Sequence, residues 1–229
     1  MPVFGSQMFG SGGAAPGEIT GSNTANATAG GSASSYTFSS QSIGTADDSR
    51  IVVVAVTVGF NGSVSTVTGV TVGGASAAQQ AAATNGAVEN FRAEVWSVAV
   101  ASGTSADVVV SLSAATGNNR GCGISVYRMI GDVEVGAEDT GTDDGTSGTL
   151  STTVDAKEDG FIVGAAVQFY ADSCTWTGLT EAADATTANV THSSAYVAPS
   201  SDSTLTVSAA FSNPYSLSNA LAVASWHPT

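Results

Sequence analysis

The chain of 229 residues contains a single lysine, Lys157, and four arginines, Arg50, Arg92, Arg120 and Arg128, against 19 acidic residues. The formal net charge is −14. Phosphate contact needs clustered Lys or Arg, and these cations are scattered, so nucleic-acid binding is not expected. Polybasic attraction to anionic lipid fails for the same reason. Leucine is also scarce, with six copies, as is isoleucine, with six. Long amphipathic helices draw on Leu, Lys, Glu and Arg, so a mainly helical fold is excluded. No run approaches the length of a membrane span. The longest apolar stretch, Ile51-Val-Val-Val-Ala-Val56, has the length of a strand. No basic residue precedes Arg50 and no apolar segment follows Met1, so no signal peptide is expected and synthesis is assigned to the cytoplasm. The two cysteines, Cys122 and Cys174, cannot form a disulfide framework, and free, partly buried thiols are the expectation.

Catalytic signatures are equally sparse. His192 and His227 are the only histidines, and neither stands near Cys, Asp or Glu at metal-ligand spacing. No metal or other cofactor is therefore expected. Nucleophile-elbow, Walker and zincin motifs do not occur. A hydrolase assembled from distant residues would need His192 within hydrogen-bond reach of a serine or carboxylate in a cleft. The expectation is a protein that is not an enzyme. The stretch from Asp139 to Gly145 lacks the acid spacing of a calcium loop and is assigned to a solvated turn. Asp155, Glu158 and Asp159 flank Lys157 in what is assigned to an exposed turn before a strand that starts near Phe161.

What the chain has in abundance is small residues: 32 Ser, 27 Thr, 37 Ala and 27 Gly, more than half of it. They are unevenly deployed. Residues 1–35 hold four apolar anchors, Val3, Phe4, Met8 and Phe9, and then almost only Gly, Ser, Ala, Thr and Asn. Such a segment cannot offset its own ordering entropy, so it is expected to be an extended arm held by a partner. From residue 36 onward Val, Thr and aromatics recur in short runs separated by Gly, Asn, Asp and Ser. These residues suit a pleated, half-buried surface, and the spacing predicts an antiparallel β-sandwich or jelly roll over 36–229 with a single two-sheet core. Residues 51–60 loosely echo 161–170, and 107–113 echo 204–208. No strict repeat is evident, and similar strands in two sheets account for the echo. Trp176, Tyr170, Tyr196 and Tyr215 fall near predicted strand ends, where together they would form a sugar-stacking platform.

A Met1-Pro-Val-Phe-Gly-Ser6 start leads into the Gly/Ser arm. Further on stand Val70-Thr-Val-Gly-Gly-Ala75, Ala93-Glu-Val-Trp96 and Ser102-Gly-Thr-Ser-Ala-Asp-Val-Val-Val110. Over roughly residues 50–170 this arrangement resembles the Ser/Thr/Ala-rich sandwich proteins among tailed-bacteriophage virion components. The resemblance implies a structural protein of the virion, a capsid decoration (cement) or fibre component. It implies partners among capsid, connector or tail proteins and copies of itself in a homotrimer. No catalytic residue is carried over. The alternative expectation is a glycan- or receptor-binding module using Trp176, Tyr170 and Tyr196 on a host surface.

Overall fold

The computed structural model describes residues 17–61, 65–85, 90–213 and 218–229. The described residues contain no helix, and their strands are paired antiparallel throughout. The first nine are β1 (Thr20–Gly30), β2 (Ser35–Ser42), β3 (Ile51–Phe60), β4 (Val67–Val72), β5 (Ala75–Ser76), β6 (Ala78–Asn85), β7 (Asn90–Ala99), β8 (Ser105–Leu112) and β9 (Gly121–Ile130). The other eight are β10 (Asp139–Gly145), β11 (Thr149–Ala156), β12 (Phe161–Phe169), β13 (Cys174–Thr177), β14 (Thr180–Thr187), β15 (Val190–Val197), β16 (Ser203–Phe211) and β17 (Asn219–Trp226).

These strands form four sheets rather than two. The first nine strands make one sheet of order β1-β9-β3-β7-β6 and a second of order β2-β8-β4-β5. The last eight make β10-β17-β12-β15-β14 and β11-β16-β13. With β5 and β6 taken as one strand that crosses between sheets at Ala77, both halves have the same wiring: 1-8-3-6-5 over 2-7-4. Strands 1 and 8, 2 and 7, and 3 and 6 pair in each, which is the jelly-roll connection. The all-β sandwich expectation therefore holds, and the molecule contains it twice.

The two jelly rolls stack through their larger sheets, giving four layers and three cores. Tyr36, Phe38, Val54, Val70 and Val110 fill the outer core of the first half. Leu150, Ile162, Trp176, Val207 and Phe211 fill that of the second. The middle core joins the halves and includes Val53, Phe91, Tyr127, Phe161, Val163 and Trp226. Burial follows the layer. In β3 and β17 every residue is buried, because both faces of an inner sheet are covered. In β8, β11 and β16 of the outer sheets buried and exposed positions tend to alternate. A single two-sheet core is thus corrected: a ten-residue strand buried on both faces needs a layer on each side.

The seam between the halves has pseudo-twofold symmetry. β3 lies on β12, its own counterpart. Contacts of β1 with β14 are matched by β10 with β6, and β9 with β15 by β17 with β7. This is the reciprocity of an isologous dimer interface, here within one chain. The echo between 51–60 and 161–170 is real equivalence: each strand follows a turn closed by a backbone bond, Arg50 N–H to Asp47 O (3.1 Å) and Gly160 N–H to Lys157 O (2.9 Å). The second echo joins β8 to its counterpart β16.

Two further expectations are corrected. The arm does not extend to residue 35, because residues 20–30 are β1, hydrogen-bonded along β9 of the same chain. Thr, Asn and Ala there need to cover only one edge of an inner sheet. The acidic stretch 139–145 is β10, an edge strand, not a turn. Its carboxylates serve the neighbouring backbone: Asp143 Oδ2 accepts from Ser151 N–H (2.8 Å) and Asp139 Oδ2 from Asp155 N–H (2.6 Å). The turn around Lys157 is as expected, with an exposed ion pair to Asp202 at 3.3 Å.

Candidate functional site, the polar flank of the seam

The residues singled out for glycan stacking are not brought together. Trp176 is buried between the two sheets of the second half, its indole N–H donating to Ser193 Oγ at 2.8 Å. Tyr196 packs in the seam against Tyr127 and Phe161, ring centroids 5.6 Å from each. The sheet that contains β15 lies between these two rings, because successive faces of that sheet look into different cores. Tyr170 is the one exposed large apolar side chain among the described residues, its ring 4.3 Å from that of Phe169. Tyr215 and the anchors Val3, Phe4, Met8 and Phe9 lie outside the described residues. Cys122 and Cys174 are free and buried in different outer cores. Burial raises both thiols, that of Cys174 to about 12.

His192 is the one flagged residue that the fold places in a distinctive setting. It lies on β15, only 4% exposed, beside a cavity of about 140 Å³. The cavity opens along the seam where β1 and β14 meet. Its floor carries Thr57 from β3, Gly123 and Ser125 from β9, and His192 and Ser194 from β15. Asn26 and Thr28 of β1 and Ala183 and Ala185 of β14 stand around the opening.

The floor is hydrogen-bonded in a directed way. His192 Nδ1 is 2.7 Å from Thr57 Oγ1, and the Thr57 hydroxyl donates to Gly123 O at 3.3 Å. Thr57 has one proton to give. The assignment that uses both contacts puts a proton on Nδ1, which donates to Thr57, and leaves Nε2 as a bare acceptor. Nε2 is buried without a hydrogen-bond partner. Burial drives the His192 pKa down to about 3, so the ring is neutral. Beside it, Tyr127 O–H donates to Ser194 Oγ (2.9 Å), and Ser194 O–H to Ser125 Oγ (2.7 Å).

Local sequence makes this arrangement possible at one position. A Cβ at residue 123 would fall 2.7 Å from His192 Cγ and Nδ1, well inside contact distance. Glycine alone lets the imidazole lie flat against the β9 backbone.

The hydrolase arrangement is not what this site presents. His192 meets a threonine, and neither ring nitrogen is hydrogen-bonded to a carboxylate among the described residues. Nor does any group of three or more His, Cys, Asp or Glu among them offer a metal site. What the floor does offer is a neutral acceptor flanked by hydroxyls. Thr57, Gly123, Ser125 and Ser194 escaped the sequence reading. The signal was there: polar Thr-His-Ser-Ser at 191–194 interrupts a strand whose first six residues are all buried.

Comparison with known proteins gives no bearing on this site: no family model matches the chain, and neither a curated protein nor a solved structure matches it.

Proposed function

We propose that the chain is a non-enzymatic structural protein of a virion, a decoration or fibre-type component attached through its N-terminal segment and assembled with copies of itself. The observation that carries this reading is the polarity of the fold. Ile19 is packed into the seam, and its N–H donates to Asp159 O at 2.9 Å. Thr229 N–H donates to Asp132 O at the same end of the stack, also at 2.9 Å. Gly17, beside Asp132, therefore stands at the end that also holds the last residues. The connections 113–120 and 170–173 and the exposed Tyr170 are at the opposite end. Such a polarity suits attachment at one end and display at the other. Jelly rolls recur in capsid shells and lectins because paired sheets give a rigid block with few open edges.

The experiment removes residues 2–16 and leaves β1 intact. The truncated chain should keep its far-ultraviolet circular dichroism and its unfolding midpoint, yet fail to join the particle. Incorporation at the full-length level would overturn the attachment role.

A further inference from the structure

We infer that the seam cavity floored by His192 is a binding site for a small uncharged polyol, of the size of glycerol or the hydroxyl-bearing edge of one sugar residue. The inference stands independently of the virion reading.

The first support is the unsatisfied acceptor. A buried nitrogen without a partner is rare in folded proteins, and His192 Nε2 is one. Thr57 fixes the ring from the other side, so Nε2 cannot turn away without losing the Nδ1 contact.

The second support is internal to the molecule. Pseudo-symmetry supplies the same site without the polar groups. From the strand registers, Thr57 corresponds to Val167, His192 to Ala93, Ser194 to Val95, Ser125 to Ala222 and Gly123 to Ala220. All five counterparts are buried hydrophobic residues of the middle core. The fold therefore closes this junction with alanine and valine where nothing is to be bound. Packing does not require a histidine, two serines and a hollow on the other flank.

Size and charge define the ligand. An apolar cavity of about 150 Å³ accepts benzene, a molecule of six non-hydrogen atoms, and this cavity measures about 140 Å³. A whole sugar ring with its substituents is too large. No charged residue lines the space, so an ion would be desolvated without compensation. Nε2 accepts a hydroxyl proton, and the Ser125–Ser194 pair offers oxygens of either role. Two neighbouring hydroxyls on one small molecule match that set better than an apolar guest.

The test uses the full chain with ¹⁵N-labelled histidine. Glycerol is titrated while the Nε2 resonance of His192 is followed, with benzene in a parallel titration. Saturable movement of Nε2 in the millimolar range, at least tenfold weaker in Ser194→Val, is the expected result. Three outcomes would overturn the inference: an Nε2 shift that does not saturate, glycerol binding unchanged in Ser194→Val, or benzene taken up in preference to glycerol. If Ser194→Val does not fold, Ser125→Ala, which places the counterpart residue, replaces it, and the wild-type titration decides on its own.

Discussion

The two flanks of the seam share a backbone and differ in chemistry. On one side Ala93, Val95, Val167, Ala220 and Ala222 close against each other and exclude water. On the other, His192, Ser194, Thr57, Gly123 and Ser125 hold a hollow. Strand order and the registers of the central strands are equivalent on the two sides, but β17 lies closer to β6 and β7 than β9 does to β14 and β15, and β1 shifts register on β9 between Asn23 and Ala25 where β10 runs unbroken along β17. The side chains go with that difference: small apolar ones fill the closer flank and polar ones line the wider one. The dry flank gains hydrophobic burial and dispersion at every position. The polar flank forgoes part of both and leaves an acceptor unsatisfied, a cost of roughly 1–3 kcal/mol. Stability of the double jelly roll should therefore rest on the dry flank.

Trp226 offers the largest test of that division. It is fully buried in β17 on the dry flank, and its indole N–H donates to Val135 O at 3.2 Å. Trp226→Ala should cost about 3–5 kcal/mol through lost burial and the cavity left behind, read as a lowered midpoint in urea. A loss under about 1 kcal/mol would mean that the halves are welded elsewhere.

Central strands were legible in the sequence, and edge strands were not. The apolar run Ile51–Val56 marks β3, and in both β3 and β17 every residue is buried. Those strands are covered on both faces, so nearly every position is selected for apolarity. β1 lies in the stretch assigned to the arm and β10 in the one assigned to a turn, and both are edges of the inner sheets. An edge strand such as Thr180–Thr187 has no fully buried residue, and so carries no hydrophobic period to find. The number of layers was recoverable in principle. Ten consecutive buried positions in β3 are incompatible with a lone two-sheet sandwich, where one face meets water. The duplication was visible as an echo at the right positions, yet small residues blur identity between equivalent strands. The site was the least legible part. Its residues come from three strands, and only the pairing registers reveal that Ala93 and His192 occupy equivalent places.

A step from the polar flank toward the dry one gives the next test. Gly123→Ala forces a Cβ against the His192 ring and should cost about 1–3 kcal/mol as overpacking. Adding His192→Gly removes the ring together with the His192 Cβ, which would lie 2.8 Å from the new methyl and which alanine would keep. The double variant should recover at least about 1 kcal/mol of the Gly123→Ala loss, a coupling that a thermodynamic cycle measures. Additive losses would show that glycine 123 serves some purpose other than seating the imidazole.

The smallest effect separates the flanks by pH. The counterpart of His192 is alanine, so only the polar flank can take up a proton. Burial lowers the folded pKa to about 3, and no charged neighbour contributes to that shift. The unfolded ring titrates at about 6.5. Between these values the unfolded chain binds a proton that the folded chain does not, so stability rises with pH across the window. This contribution is fully present above pH 6.5 and is lost as the pH falls toward 3. At pH 5.5, one unit below the unfolded value, the loss is about 1.4 kcal/mol. His192→Ala removes it while leaving the other titrating groups in place. The stability difference between wild type and His192→Ala should therefore move by about 1.4 kcal/mol in favour of the variant between pH 7.5 and pH 5.5. Parallel pH profiles would mean that the ring is already reached by solvent protons in the folded chain, and the polar flank would then be an open cleft rather than a buried pocket.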